Sequence, residues 1–194
     1  MGRIFEQGDF QPYSQIRLDE ARSSIIQFSQ YGSQKTTVFI SHKHDELDDL
    51  KGVLGFLQTK YNVKVYIDSQ DSSMPKTIDA QTAKNLKDRI KRCNKFIFLA
   101  TNGAVESKWC NWELGFGDAQ KFKDHIAVLP MKPKGSYDSS YRGAEYLSIY
   151  PYIHFSDGSE KYSNGTCILK GYYVVKPENG NLYFEKLENW FSHR

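Results

Sequence analysis

The chain has 194 residues, 39% hydrophobic and 25% charged, and a formal net charge of +3. This size supports one compact core and is too small for two comfortable domains. The composition excludes a disordered chain, and the evenly mixed charges give no basic surface of the kind that binds nucleic acid. No signal peptide or membrane span is predicted, and three widely spaced cysteines form neither a disulfide framework nor a metal pattern. We therefore expect reduced thiols and a cytoplasmic location.

The first part of the chain, residues 1–35, is predicted to be an arm and a helix that precede the main domain. Residues 1–13 carry Gly, Pro and mixed polar residues, which is typical of a loose arm. From Ser14 the apolar residues fall on one helical face, and Gly32 ends the helix. We favour packing of this helix on the following domain over a role as a self-association surface.

The next part alternates between short apolar runs and amphipathic segments. The runs at 36–40, 63–67, 96–100, 126–131 and 152–155 predict five strands. Apolar residues repeat at helical spacing from Leu47, from Ala83 and between Glu106 and Lys121, and these segments predict three helices. Such an order requires right-handed crossovers and predicts a flavodoxin-like three-layer α/β sandwich around a parallel five-stranded sheet.

Ligands of such sheets bind beyond the carboxyl ends of the strands, so residues 41–45, 68–76 and 101–108 are predicted to share one rim. Residues 166–175 and 182–184 predict two further strands joined by an Asn-Gly turn, and residues 187–191 predict a closing helix. We expect a main domain at 36–194 with this C-terminal hairpin as an addition at 156–194.

Familiar catalytic templates are missing from the sequence. It contains neither a glycine-rich nucleotide loop nor a nucleophile elbow. His42 and His44 lie just past the first of the five strands without further ligands at sensible spacing, so loop histidines are favoured over a metal site.

The stretch WCNWELGF places one carboxylate, Glu113, in apolar company. On a helix Trp109 shares its face, whereas Trp112 and Phe116 form a second pair, four residues apart, on a rotated face. We expect Trp109 to lie against Glu113, and Trp112 and Phe116 to anchor the helix on the sheet. A partly desolvated carboxylate beside an indole has a raised pKa, which suits acid–base work or stabilisation of a developing cation. A surface glutamate between two core tryptophans is the alternative, and this stretch alone does not decide between them.

Four motifs, in the right order, resemble those of Toll/interleukin-1 receptor (TIR) domains. Residues 37–45 (TVFISHKHD) resemble the first strand, and 65–68 with the 69–77 loop resemble the second strand and the variable BB loop. Residues 90–99 resemble the next helix end and strand, and 107–114 (SKWCNWEL) match the S-x-W-C-x-x-E-L box closely. The chain is most similar to stand-alone prokaryotic TIR proteins such as those of Thoeris-like antiphage defence. The usual BB-loop glycine is absent, since Ser73-Met74-Pro75 stands in its place.

The resemblance implies a substrate and a catalytic residue. In TIR domains that cleave NAD+ at the nicotinamide–ribose bond, the glutamate of the box is catalytic, and it corresponds to Glu113. NAD+ is then a substrate, and no cofactor or metal is expected. The resemblance also implies a set of residues that line, shape or gate the substrate pocket. These are Phe39, Ile40, Ser41, His42, Asp68, Ser72, Ser73 and Trp109.

The same resemblance leaves several products open. Loss of nicotinamide leaves an oxocarbenium-like ribose that a carboxylate stabilises. Water then gives ADP-ribose, an internal adenine nitrogen or ribose hydroxyl gives a cyclic isomer, and a small molecule gives a conjugate. We expect the product to be a messenger for a separate effector, activity to need assembly or a trigger, and TIR surfaces to self-associate. Nucleic-acid and membrane partners are not expected.

Two other functions fit parts of the sequence. A non-catalytic TIR adaptor acts by TIR–TIR contact, but the shared face of Glu113 and Trp109 favours the enzyme. A distant relative of nucleoside deoxyribosyltransferases has a similar sheet and a catalytic glutamate, but the F-I-S-H strand end and the W-C-x-x-E box argue against it.

Overall fold

The computed structural model describes residues 4–14, 35–67, 80–121 and 123–193. The predicted N-terminal helix and the predicted gating residues Asp68, Ser72 and Ser73 lie outside these ranges.

Strands and helices alternate through the middle of the chain, as predicted. The strands are β1 (Phe5–Glu6), β2 (Thr37–Ser41), β3 (Lys64–Ile67), β4 (Lys95–Ala100), β5 (Ile126–Lys132), β6 (Tyr152–Ser156), β7 (Gly171–Glu178) and β8 (Asn181–Lys186). The α-helices are α1 (Leu47–Tyr61), α2 (Ala80–Arg92), α3 (Asn102–Glu106), α4 (Lys108–Gln120) and α5 (Leu187–Ser192). Short 3₁₀ turns cover Gln11–Tyr13, Lys123–His125, Asp138–Ser140 and Glu145–Ile149.

One sheet contains all these strands, in the order β3-β2-β4-β5-β6-β7-β8, with β1 paired to β5. The five strands from β3 to β6 are parallel, which confirms the predicted flavodoxin-like α/β sheet. The C-terminal hairpin continues this sheet, because β7 pairs antiparallel with all five residues of β6. Its turn is the predicted Asn-Gly pair, and Asn179 and Gly180 both adopt the positive φ that such a turn requires. The hairpin therefore covers the edge that β6 would otherwise expose.

Strand β2 is buried on both faces, so its alternating side chains enter two different cores. Val38 and Ile40 pack in the core beneath α1, whereas Phe39 packs in the core that lies beneath α2 and α4. This alternation decides which predicted site residues can meet α4.

The N-terminal segment is not the predicted loose arm over its described residues. Phe5 and Phe10 are buried, β1 pairs with β5, and the Phe10 ring lies 4.8 Å from the Phe56 ring of α1. Two glycines of α1, Gly52 and Gly55, leave room for this chain to cross the helix closely. The prediction was wrong because two isolated aromatics in a Gly- and Pro-containing segment show no periodicity, although each supplies much apolar surface.

The helix predicted from Glu106 to Lys121 is present as α4, Lys108–Gln120, and the short helix α3 precedes it. Thr101 caps α3 by accepting a hydrogen bond from the Ala104 amide at 3.0 Å, and Ser107 caps α4 through the Cys110 amide at 3.3 Å. Serine and threonine are favoured at both positions because their hydroxyls satisfy amides that lack a helical partner.

We predict that Gly55→Ala disrupts the packing of the N-terminal segment on α1. A Cβ at this position projects onto the carbonyl oxygen of Tyr13, so the free energy of unfolding is expected to fall by about 1–3 kcal/mol in spite of the better helix propensity of alanine. Urea unfolding measures the change. The matched control is Gly115→Ala in the exposed face of α4, where a Cβ meets nothing within 4 Å and stability is expected to rise by about 0.5–1 kcal/mol. Equal stabilisation by both substitutions would contradict the close packing of this segment.

Candidate active site

The candidate site is built where β2 and β4 end side by side. Ser41 closes β2 and pairs with Phe98 of β4, and helix α4 lies against both strands. The hydroxyl of Ser41 donates a hydrogen bond to Oε2 of Glu113. Only 1% of Glu113 is exposed, and Ser41 is fully buried. Glu113 is therefore not a surface glutamate, and its carboxylate lies at the carboxyl rim of the sheet, where α/β folds bind ligands.

The inward position of Glu113 follows from how α4 packs. The buried residues of α4 are Cys110, Glu113, Leu114 and Gly117, which share one helical stripe. Gly117 brings the helix onto β4, since a Cβ there would meet the ring of Phe96 at 3.0 Å. A carboxylate on this stripe is taken out of water, so it needs a hydrogen-bond donor, and Ser41 supplies one.

Trp109, Trp112 and Phe116 do not take the separate roles predicted for them. Trp112 and Phe116 are half-buried at the edge of the core and do not anchor the helix centrally. The Trp109 ring stacks 4.9 Å from that of Trp112, which lies 6.1 Å from that of Phe116, and the Lys87 ammonium lies 5.6 Å from the centres of both Trp112 and Phe116. The three rings thus form one row along α4, and the residues that pack this helix on the sheet are the smaller Cys110, Leu114 and Gly117.

His42 follows Ser41 and is a buried imidazole that is neutral at neutral pH. Burial, with a smaller contribution from nearby His44, lowers its pKa to about 4, while a backbone contact with Ile40 acts in the opposite direction. Its ring stacks on His44 with centroids 5.9 Å apart, and its carbonyl accepts a hydrogen bond from the Cys110 thiol at 3.3 Å. Within the described ranges no cluster of three or more His, Cys, Asp or Glu residues could hold a metal ion.

The remaining predicted pocket residues fall in different places. Phe39 is fully buried and stacks on Phe96 at 5.5 Å, within the core beneath α4. The side chain of Ile40 enters the opposite core, beneath α1, and therefore points away from α4. Of the three β2 residues, Ser41 is the one whose side chain bonds to Glu113.

Several residues at this rim were missed by the sequence analysis. Burial raises the pKa of the Cys110 thiol to about 11, and Glu113 and Glu46 both add to the rise. The hydroxyl of Thr101 donates to Glu46, and that of Tyr146 donates to the side-chain oxygen of Asn111. Thr101 lies in the predicted rim segment 101–108, and Asn111 lies in the 107–114 box. Glu46 comes one residue after the predicted rim segment 41–45. Tyr146 carried no signal, because a loop places it there.

A large cleft of about 1640 Å³ lies elsewhere, between the 141–148 loop and the C-terminal hairpin. Its lining includes His154, whose Nε2 is 2.6 Å from a carboxylate oxygen of Glu160, and it contains none of the predicted site residues. Size alone would favour this cleft, but the buried carboxylate at the sheet rim carries the chemistry, so the Glu113 rim is the candidate active site.

Comparisons with known proteins identify the family of this chain. The sequence profile of the TIR domain family matches residues 38–167, which is more than half of the chain. The chain therefore belongs to the TIR domain family. It is also 31% identical, over 179 residues, to a probable 3′ cyclic ADP-D-ribose synthase ThsB′ of Bacillus cereus (strain MSX-D12). That alignment covers 90% of this chain and 86% of the relative. No helix in the described part of the chain is long and apolar enough to cross a membrane.

The buried neutral His42 predicts a specific loss of stability in acid. The unfolded chain binds a proton below pH 6.5 that the folded chain takes up only near pH 4. The free energy of unfolding is therefore expected to fall as the pH drops through this window, by about 3 kcal/mol from this group. Urea unfolding measures this free energy at pH 7 and at pH 4. Its decrease between the two pH values should be smaller in His42→Gln than in wild type by about 3 kcal/mol. The exposed neighbour is the control, since His44→Gln is expected to keep most of the drop. An equal drop in wild type and His42→Gln would refute the assignment.

Proposed function

We propose that this protein cleaves NAD+ at the nicotinamide–ribose bond, with Glu113 as the catalytic residue. One observation carries the proposal: the carboxylate of the TIR box is buried at the ligand rim and held by the hydroxyl of Ser41. The relative from Bacillus cereus, named for a cyclic ADP-ribose product, supports the same class of reaction.

The chemistry follows from the charges involved. As the bond between ribose C1′ and the pyridinium nitrogen breaks, its electron pair leaves with nicotinamide, which becomes neutral. Positive charge then develops on the ribose ring, and an anion held nearby in a water-poor site stabilises it. Glu113 supplies that anion, and the Ser41 hydrogen bond fixes its direction. Trp109 borders the site from the first turn of α4 and stacks on Trp112, and we propose that it shapes the pocket.

The proposed product is a cyclic ADP-ribose isomer that serves as a messenger in antiviral defence. The name of the relative specifies a 3′ cyclic product, and primed numbers denote sugar atoms, which favours a ribose hydroxyl as the internal nucleophile. We further propose that the reaction occurs in the cytoplasm, that it needs self-association or a trigger, and that a separate effector senses the product. Asp68 and the Ser72–Ser73 loop remain the proposed gate.

The proposal predicts that Glu113→Gln abolishes nicotinamide release without unfolding the protein. Glutamine keeps the shape and an oxygen that accepts from Ser41 but loses the charge, so turnover is expected to fall at least about 100-fold. Mass spectrometry of a concentrated sample incubated with NAD+ measures nicotinamide and the second product together. The control is Glu188→Gln on the exposed face of α5, which is expected to behave as wild type. If assembled wild type releases no more nicotinamide than Glu113→Gln, the protein is not an NAD+-cleaving enzyme, and the adaptor role is favoured.

A further inference from the structure

Glu46 is a second carboxylate held at the same rim. It stands immediately before α1, yet its side chain makes no capping hydrogen bond to that helix. Instead its Oε2 accepts from the hydroxyl of Thr101, the residue that follows β4. Its other oxygen, Oε1, lies over Gly103, where a Cβ would come within 2.7 Å of it. The carboxylate is therefore directed toward Thr101 and the start of α3 and makes no cap on its own helix.

Cys110 links the two carboxylates in space. Its thiol donates to the carbonyl of His42, and it also contacts Ser41, which binds Glu113. After burial, the charges of Glu113 and of Glu46 both contribute to the raised pKa of this thiol, so both carboxylates lie within electrostatic reach of it. Glu113 and Glu46 are therefore two carboxylates at one rim, and a pair of carboxylates can divide the two roles of a glycosyl transfer, as in glycoside hydrolases.

The surroundings of Glu46 suit a proton acceptor. Burial raises its pKa, and the nearby Asp45 and Asp49 add to the rise, whereas Thr101 and Lys43 lower it. A carboxylate with a raised pKa is a stronger base than an ordinary glutamate.

The proposed reaction has one step for which Glu113 offers no proton acceptor. Nicotinamide leaves as a neutral molecule and needs no acid. A hydroxyl that then attacks ribose C1′ forms a C–O bond and must lose its proton, while Glu113 is engaged with the developing cation and with Ser41. A pyridine nitrogen that attacks the same carbon carries no proton to lose.

We propose that Glu46 is the general base of this second step and accepts the proton of the attacking hydroxyl, from ribose or from water. This inference rests on the proposed function. It assigns two roles to two carboxylates: Glu113 stabilises the ribose cation when the C–N bond breaks, and Glu46 takes the proton when the C–O bond forms.

The test separates nucleophiles that lose a proton from those that do not. Assembled protein is incubated with NAD+ and 3-acetylpyridine, and the products are separated by mass spectrometry. Wild type is expected to give both hydroxyl-derived products (ADP-ribose or its cyclic isomer) and the exchanged acetylpyridine dinucleotide. Glu46→Gln retains an oxygen that accepts from Thr101, so the fold is expected to persist. It should lose at least about 100-fold in hydroxyl-derived products while dinucleotide exchange stays within a few-fold of wild type.

Controls distinguish the possible failures. Asp48→Asn removes a neighbouring exposed carboxylate, which pairs with Lys51, and is expected to leave both product classes unchanged. A parallel loss of both classes in Glu46→Gln assigns Glu46 a structural role and overturns the inference, as does an unchanged yield of hydroxyl-derived products. Absence of nicotinamide release from wild type contradicts the proposed function itself.

Discussion

The hydrogen bond from Ser41 to Glu113 is the constraint on which the site depends. A carboxylate that is 1% exposed is costly to bury, and the cost rises if its hydrogen-bond donor is lost. The bond also requires α4 to approach the end of β2 closely. Gly117 permits that approach against Phe96, and the Ser107 cap starts the helix at the right residue. Local features of α4 and β2 thus converge on one carboxylate position.

The rest of the fold supports this position from a distance. The N-terminal segment packs across α1, and the C-terminal hairpin extends the sheet beyond β6. The loop at 141–149 does reach the rim, since Tyr146 bonds to Asn111 of α4. Other residues of this loop line the large cleft beside the C-terminal hairpin.

Local patterns predicted most of the architecture. Apolar runs such as 96–100 and the Asn-Gly turn have meanings that depend little on the rest of the chain, and the structure agrees with both. Glu113 also stood out in the sequence, because an acid within an apolar helix needs an explanation.

Other features depend on contacts that no local pattern contains. The spacing of Trp112 and Phe116 gives their angular position around α4, but it does not show which face of the helix packs on the sheet. Phe5 and Phe10 lack periodicity, so their docking on the sheet and α1 could not be read from the sequence. The setting of Glu46 depends on Thr101, 55 residues away, which became its neighbour only when β2 and β4 paired.

The central claim is that Glu113 stabilises a ribose cation formed as nicotinamide leaves. The most direct measurement compares NAD+ carrying hydrogen or deuterium at the ribose C1′ that bears nicotinamide, under conditions where bond cleavage limits turnover. A secondary isotope effect clearly above unity is expected, because this carbon becomes more planar in a cation-like transition state. An effect of unity at that step, or turnover that persists at the wild-type rate without the Glu113 carboxylate, would contradict the account.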